Sequence, residues 1–194
     1  MNDANEKLES DTLTASNIFR GKARKEDATG ELAELYEKIT AMRGRVANSA
    51  QIFSASPELI KQQMSFIEYY MMKQKALSMP LLASIRMLIS DKNSCSYCVD
   101  FNASILINRL GWTPKEVEAM RANPNDAKLE AKEKAMLLFV LKAVRTPHDV
   151  SATDVQALRE LGYNDGEILD ATNHGARMSA IDIIFDAFKI EKDF

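Results

Sequence analysis

From Glu31 onward, apolar residues recur at helical spacing, and no stretch alternates in the manner of a strand. Leu32, Leu35, Tyr36, Ile39 and Met42 share one face, and Gly44 ends that run. Ser56-Pro57-Glu58 reads as an N-cap, a proline at the first helical position and an acidic first turn. Leu59, Ile60, Met64, Ile67, Tyr70 and Met71 follow on the next helix. Another begins near Pro80 with Leu81, Leu82, Ile85, Leu88 and Ile89. The expected fold class is therefore all-α. Residues 1–30 lack this periodicity and read as a polar N-terminal arm, with one helical domain over 31–194.

The second half carries an internal echo. Leu110-Gly111-Trp112 precedes Glu116-Val117, and Leu161-Gly162-Tyr163 precedes Glu167-Ile168, each position displaced by 161 − 110 = 51 residues. Each copy reads as a helix, a glycine that stops it, an aromatic that packs back, and a new helix. Thr113-Pro114-Lys115-Glu116 is a capping box with proline at N1. The apolar run Leu137–Val140 falls on Arg86–Ile89 at the same offset. These matches predict an internal helical repeat, with cysteines in the first copy only.

Composition narrows the partners. A formal charge of −3 offers no bulk attraction to nucleic acid or anionic lipid. The apolar run Ala135–Leu141 is too short to span a membrane, and the first residues do not read as a secretory signal. The expected compartment is the cytoplasm, where a paired Cys motif is more often catalytic or metal-binding than a structural disulfide.

Cys95 and Cys98 are the sharpest chemical feature. Asn93 or Ser94 is a suitable N-cap, and Val99, Phe101, Ile105, Leu106 and Leu110 continue a helical pattern. Placed in a first turn, the two cysteines share a face, with Cα atoms ~5 Å apart, which permits a disulfide. Unpaired N–H groups and the positive end of the helix dipole favour a thiolate there. Asn102, one turn beyond Cys98, is placed to hydrogen-bond the sulfur or to hold a water beside it. Three readings compete. A zinc site needs two more ligands, and His148 and His174 lie far apart in the sequence. Two inert core thiols are the second reading, and a reversible redox pair is the third. Spacing together with the helix start favours the redox pair, with no cofactor and no metal expected.

Other features read as structural. The methionines Met64, Met71, Met72, Met79 and Met87 suit core filling, and Lys128–Lys134 suits a solvated helix face. His174, in Asn173-His174-Gly175, is the remaining residue of interest. The helix from Asn173 to Lys189 carries apolar residues on more than one face, which calls for cover on all sides.

Four stretches resemble the AhpD-like, carboxymuconolactone decarboxylase family: Gly44–Asn48 with Ser56–Leu59; Leu77–Cys98 running into Asn102; Lys142–Pro147 with Val150, Asp154 and Val155; and Leu158–Ile168. The likeness spans about residues 31–190. It implies an AhpD-like helical domain and a homo-oligomer built as a trimer or hexamer. It also implies thiol chemistry, with Cys98 attacking a hydroperoxide or disulfide substrate and Cys95 resolving. The implied reductant is a lipoylated or thioredoxin-like carrier. Three relay positions depart from the family pattern. A Glu is replaced by Ala83, a His between the cysteines by Tyr97, and a His four residues after the second by Asn102. Asn takes up no proton at neutral pH, and a tyrosine with a pKa near 10 is a poor base. Asp100, Glu68 and His174 are candidate replacements. A non-catalytic redox-sensing or partner-binding scaffold is the competing function. A lactone decarboxylase is disfavoured, because those relatives do not rely on a dithiol.

Overall fold

The computed structural model describes residues 22–194, and every regular element among them is helical. Residues 1–21 of the expected arm lie outside the described residues. The helices are α1 (Gly30–Arg43), α2 (Asn48–Gln51), α3 (Pro57–Glu68), α4 (Met79–Lys92), α5 (Ser96–Asn108), α6 (Pro114–Ala122), α7 (Ala131–Arg145), α8 (Ala152–Glu160) and α9 (Asp165–Ala187). The described chain divides into two compact units. One holds residues 22–64 with Ala187–Asp193, the other Ser65–Asp186 with Phe194.

In the first unit α1 buries Leu35, Tyr36 and Ile39. It ends where Gly44 turns left-handed at φ 85° and its N–H reaches the Thr40 carbonyl. The Tyr36 hydroxyl donates to the Ala23 carbonyl at 2.7 Å, and the Ala23 N–H donates to Ser54 Oγ at 2.6 Å. The C-terminal segment is tied to the start of α2. Asn48 donates its N–H to Asp193 Oδ2 at 2.7 Å and its Nδ2 to the Glu191 carbonyl at 3.0 Å.

The second unit is organised around α4. Ser78 caps it by accepting the Leu81 N–H at 3.2 Å. Leu81, Leu82, Ala83, Ser84, Ile85, Met87, Leu88, Ile89 and Ser90 are all buried. A helix buried on all sides needs neighbours on all sides, and α5 and α7 both pack on it. Gly175 of α9 approaches closely as well. A Cβ there would stand 2.6 Å from Val140 Cγ1 and 3.0 Å from Ile89 Cδ1.

The repeat is visible in the helix ends. Gly111 and Gly162 are both left-handed, at φ 71° and 84°. Trp112 and Tyr163 after them are both buried. Thr113 and Glu116 form the capping box at the start of α6. Asn164 and Glu167 exchange the same two bonds at the start of α9, at 2.9 and 3.0 Å. The copies differ where the cysteines lie. The stretch matching the start of α5 is the 3-10 turn Pro147–Asp149, followed by the shorter α8.

Within the single chain, the cover that the last long helix calls for is incomplete. Leu169 and Ile183 are 68% and 69% exposed on α9. The helix buried on nearly every side is α4, because it lies between its neighbours whereas α9 covers them from one side.

Gly175→Val is expected to destabilise the protein by ~1–3 kcal/mol in urea unfolding, because the added methyls overpack Val140 and Ile89. Adding Val140→Ala should recover part of the loss. An unchanged midpoint in the single variant would show that the approach is not tight.

A buried dithiol and carboxylate

The α4–α5 reversal is built from backbone bonds. Asn93 ends α4, and its N–H reaches the Ile89 carbonyl at 3.0 Å. Ser94 is left-handed at φ 64°. Its N–H bonds the Asp91 carbonyl at 3.2 Å, and the Cys95 N–H bonds the Ser90 carbonyl at 3.0 Å. This pair of bonds around a left-handed residue is a Schellman ending. It is followed at once by α5, whose N-cap is Cys95 itself, at φ −79° and ψ 89°. The expected cap at Asn93 or Ser94 is thus corrected. Asn93 spends its side chain elsewhere, and Ser94 is the turn residue. Cys95 stands one residue outside the helix and Cys98 in its first turn.

Both thiols are free and buried, Cys95 at 0% and Cys98 at 3% exposure. Asp182 of α9, 1% exposed, completes the group. The two sulfurs and a carboxylate oxygen lie within 4.8 Å of one another. Among the described residues no other cluster of His, Cys, Asp and Glu is this tight. Ser90 Oγ donates to Asp182 Oδ1 at 2.8 Å, and Asn93 Nδ2 donates to Oδ2 at 2.8 Å. Burial raises the Asp182 carboxyl above the usual range, partly offset by bonds from Asn93, Ser90 and the two thiols. The Cys98 thiol is pushed up by its hydrogen bond with Cys95, by burial and by the Asp182 charge. These contributions oppose the thiolate-favouring effect expected of the helix start. Three potential metal ligands are present, one short of the four of a closed zinc site.

Asn102 is buried beside this group but bonds differently from expectation. Its Nδ2 donates to the Cys98 carbonyl at 2.8 Å, and its Oδ1 accepts from Arg86 Nε at 2.7 Å. The amide thus positions the Cys98 backbone rather than the sulfur, because Arg86 of α4 claims its oxygen. Arg86 Nη1 also reaches His174 Nε2 at 3.0 Å. A guanidinium only donates, so Nε2 accepts and the ring is neutral, with its proton on Nδ1. Nδ1 is buried without a well-formed hydrogen bond, its polar neighbour being the Leu82 carbonyl. Phe66 and Tyr70 flank the ring at centroid distances of 5.8 and 4.5 Å.

The other candidate bases have other settings. Tyr97 packs its ring against Phe101, Phe185 and Phe194. Asp100 is exposed. Glu68 pairs with Lys73 at 3.1 Å on the surface. Ala83 is fully buried. Asp182 was missed by sequence reasoning, although a signal exists. The buried stripe of α9 runs Ile168, Ala171, Gly175, Met178, Asp182, Phe185, and one of its members is a carboxylate.

His174 supplies a pH test. Burial first, and the Arg86 charge second, lower its pKa well below 6.5. The unfolded chain therefore binds this proton more tightly than the folded one. The resulting stability is full above about pH 6.5 and is lost as pH falls, at up to ~1.4 kcal/mol per pH unit. In urea unfolding from pH 7 to 5, His174→Gln should lose less stability than wild type. Parallel curves would show that His174 titrates normally.

No protein-family model and no curated protein matches the chain. Solved structures do. A peroxidase-related protein from Silicibacter sp. TM1040 aligns at a TM-score of 0.78 with 21% identity, covering 94% of this chain and 93% of that one. A peroxidase-related protein with an alkylhydroperoxidase AhpD core, from Ralstonia eutropha JMP134, aligns at 0.76 with 21% identity, covering 88% and 90%. An Agrobacterium tumefaciens protein of unknown function, assigned to antioxidant defence as AhpD, aligns at 0.61 with 21% identity, covering 73% and 95%. With its all-helical second unit, repeated glycine stops and dithiol at the head of α5, the chain has the AhpD-like, peroxidase-related fold.

Proposed function

We propose that this protein is a thiol-dependent oxidoreductase that cycles Cys95 and Cys98 between dithiol and disulfide. The observation that carries the reading is the placement of the two free sulfurs within 4.8 Å of each other at the head of one helix. Closing to an S–S bond of ~2.05 Å calls for side-chain rotation across a short gap. Burial of both thiols favours a small hydroperoxide over a protein disulfide, because a bulky disulfide has no direct line to either sulfur. Cys98 attacks the peroxide oxygen, the O–O bond breaks, and an alcohol leaves. Cys95 then attacks the resulting Cys98 sulfenic acid and expels water. An external dithiol of the lipoyl or thioredoxin-like type restores the pair.

One observation favours a second reading, a redox-sensing scaffold: the same burial, with the Cys98 thiol pushed up, slows the chemistry. Turnover separates the two. A sensor oxidises once and stays oxidised, whereas an enzyme cycles when dihydrolipoamide is supplied.

The protein is further proposed to be cytoplasmic, where the pair is kept reduced, and to form a trimer or hexamer. No described helix is long and apolar enough to cross a membrane. Support for self-association comes from α9, where the exposed apolar residues Leu169, Ala176, Ala180 and Ile183 share one face at intervals of 7, 4 and 3 residues, with Asn173 between the first two.

Titration with tert-butyl hydroperoxide should consume both thiols and yield one intramolecular Cys95–Cys98 disulfide by peptide mapping. Cys98→Ser should abolish the reaction, and Cys95→Ser should leave a sulfenic acid trappable by dimedone. Two thiols unchanged after excess peroxide would overturn the reading. In light scattering, the wild type should run as a multiple of the chain mass and Ile183→Glu should shift toward the monomer. A monomeric wild type at micromolar concentration would reject assembly.

A further inference from the structure

We propose that Asp182 is the proton acceptor and donor of the dithiol, a catalytic base supplied by the last long helix. The inference rests on the dithiol reading for its reaction but on separate geometry for its residue. The carboxylate lies within 4.8 Å of both sulfurs. Each oxygen already accepts one neutral donor, Ser90 at Oδ1 and Asn93 at Oδ2. A carboxylate oxygen has two lone pairs, so each keeps one acceptor site open for a thiol.

The surroundings explain why this carboxylate is a base rather than a fixed charge. The groups that face it are Ser90 from α4, Asn93 from the turn, Cys95 at the N-cap of α5 and Cys98 in its first turn. The titratable ones are the two thiols, and none of these neighbours is a cation. A buried carboxylate without a cation is costly when charged. Two structural roles account poorly for it. Asp182 lies deep within α9, so it does not cap its own helix, and it forms no salt bridge among the described residues. An Asn or Ser could hold Ser90 and Asn93 at lower cost. Raised proton affinity, the direction that burial imposes, suits a group that takes a proton and returns it.

Asp182 begins as a carboxylate and Cys98 as a thiol. As Cys98 Sγ bonds the terminal peroxide oxygen, its proton moves to Asp182. The O–O bond breaks, and the departing alkoxide takes that proton back as the alcohol. In the second step the Cys95 proton moves to Asp182 while Cys95 Sγ bonds the Cys98 sulfur. The S–O bond breaks, and the hydroxide takes the proton as water. The dithiol loses two electrons, the hydroperoxide gains two, and Asp182 ends as it began. At no point do thiolate and carboxylate have to share the buried site as two full negative charges.

The test compares wild type, Asp182→Asn and Asp182→Glu by two readouts, peroxide-driven disulfide formation and iodoacetamide alkylation of Cys98, each from pH 5 to 10. In Asp182→Asn, oxidation at pH 7 should fall by about 10²-fold or more, the range for a lost general base. Its rate should then climb tenfold per pH unit toward the thiol pKa, while the wild-type profile is shallower. Asp182→Glu should recover part of the rate and the shallow profile. Asn93→Ala loosens the clamp but keeps the carboxylate, so it should lower the rate without changing the shape. A folded Asp182→Asn protein with wild-type rate and profile overturns the inference. So does Asn93→Ala matching Asp182→Asn in both, which makes Asp182 a structural anchor. If Asp182→Asn does not fold, a steep Asp182→Glu profile, like that of an unassisted thiol, overturns it instead. Wild type inert to peroxide, yet with Asp182-dependent alkylation, defeats the dithiol-peroxidase reading while leaving the proton role standing.

Discussion

Helix α4 is apolar almost all round, and that single constraint shapes the second unit. It is stable only if other helices remove every side of it from water. Helices α5 and α7 pack on it, and Gly175 lets α9 come close where any side chain would be too large. Ser84 and Ser90 of α4 are then sealed in with its apolar residues. Ser90 donates to Asp182 of α9, and Arg86, half-buried, takes its partners Asn102 and His174 from α5 and α9.

Two polar islands result, with opposite electrostatics. Around Arg86, burial first and the fixed guanidinium second disfavour a charged imidazole. Nε2 of His174 must accept, and the ring stays neutral. Around Asp182 the donors are all neutral, so the buried carboxylate holds its proton more readily than in water. Asn102 and Cys98 connect the islands through the backbone, since the amide that receives Arg86 also holds the Cys98 carbonyl. The two thiols therefore lie where orientation comes from one island and proton affinity from the other.

Much of this is legible in the sequence. Gly44, Gly111 and Gly162 stop helices as left-handed residues, and Thr113 with Glu116 forms the expected box. These are local rules, satisfied within a few residues of chain. The resemblance to AhpD-like proteins likewise agrees with the fold. The cysteine pair is legible as a motif, but its cap is Cys95 rather than Asn93 or Ser94. A cap depends on which groups have been claimed by distant partners, and Asn93 is claimed by Asp182, 89 residues away.

The sequence by itself determined the helical class, the repeat, the helix ends and the identity of the two thiols. Each of these depends on neighbours close along the chain. Tertiary structure alone decided what surrounds the thiols. Asp182, Arg86 and His174 lie 87, 9 and 79 residues from Cys95, Asp182 and Arg86 carry no motif, and their roles arise only when α4, α5 and α9 pack. The physical reason is that proton affinity depends on burial and on the charges within a few ångströms, and neither quantity is defined until distant segments meet.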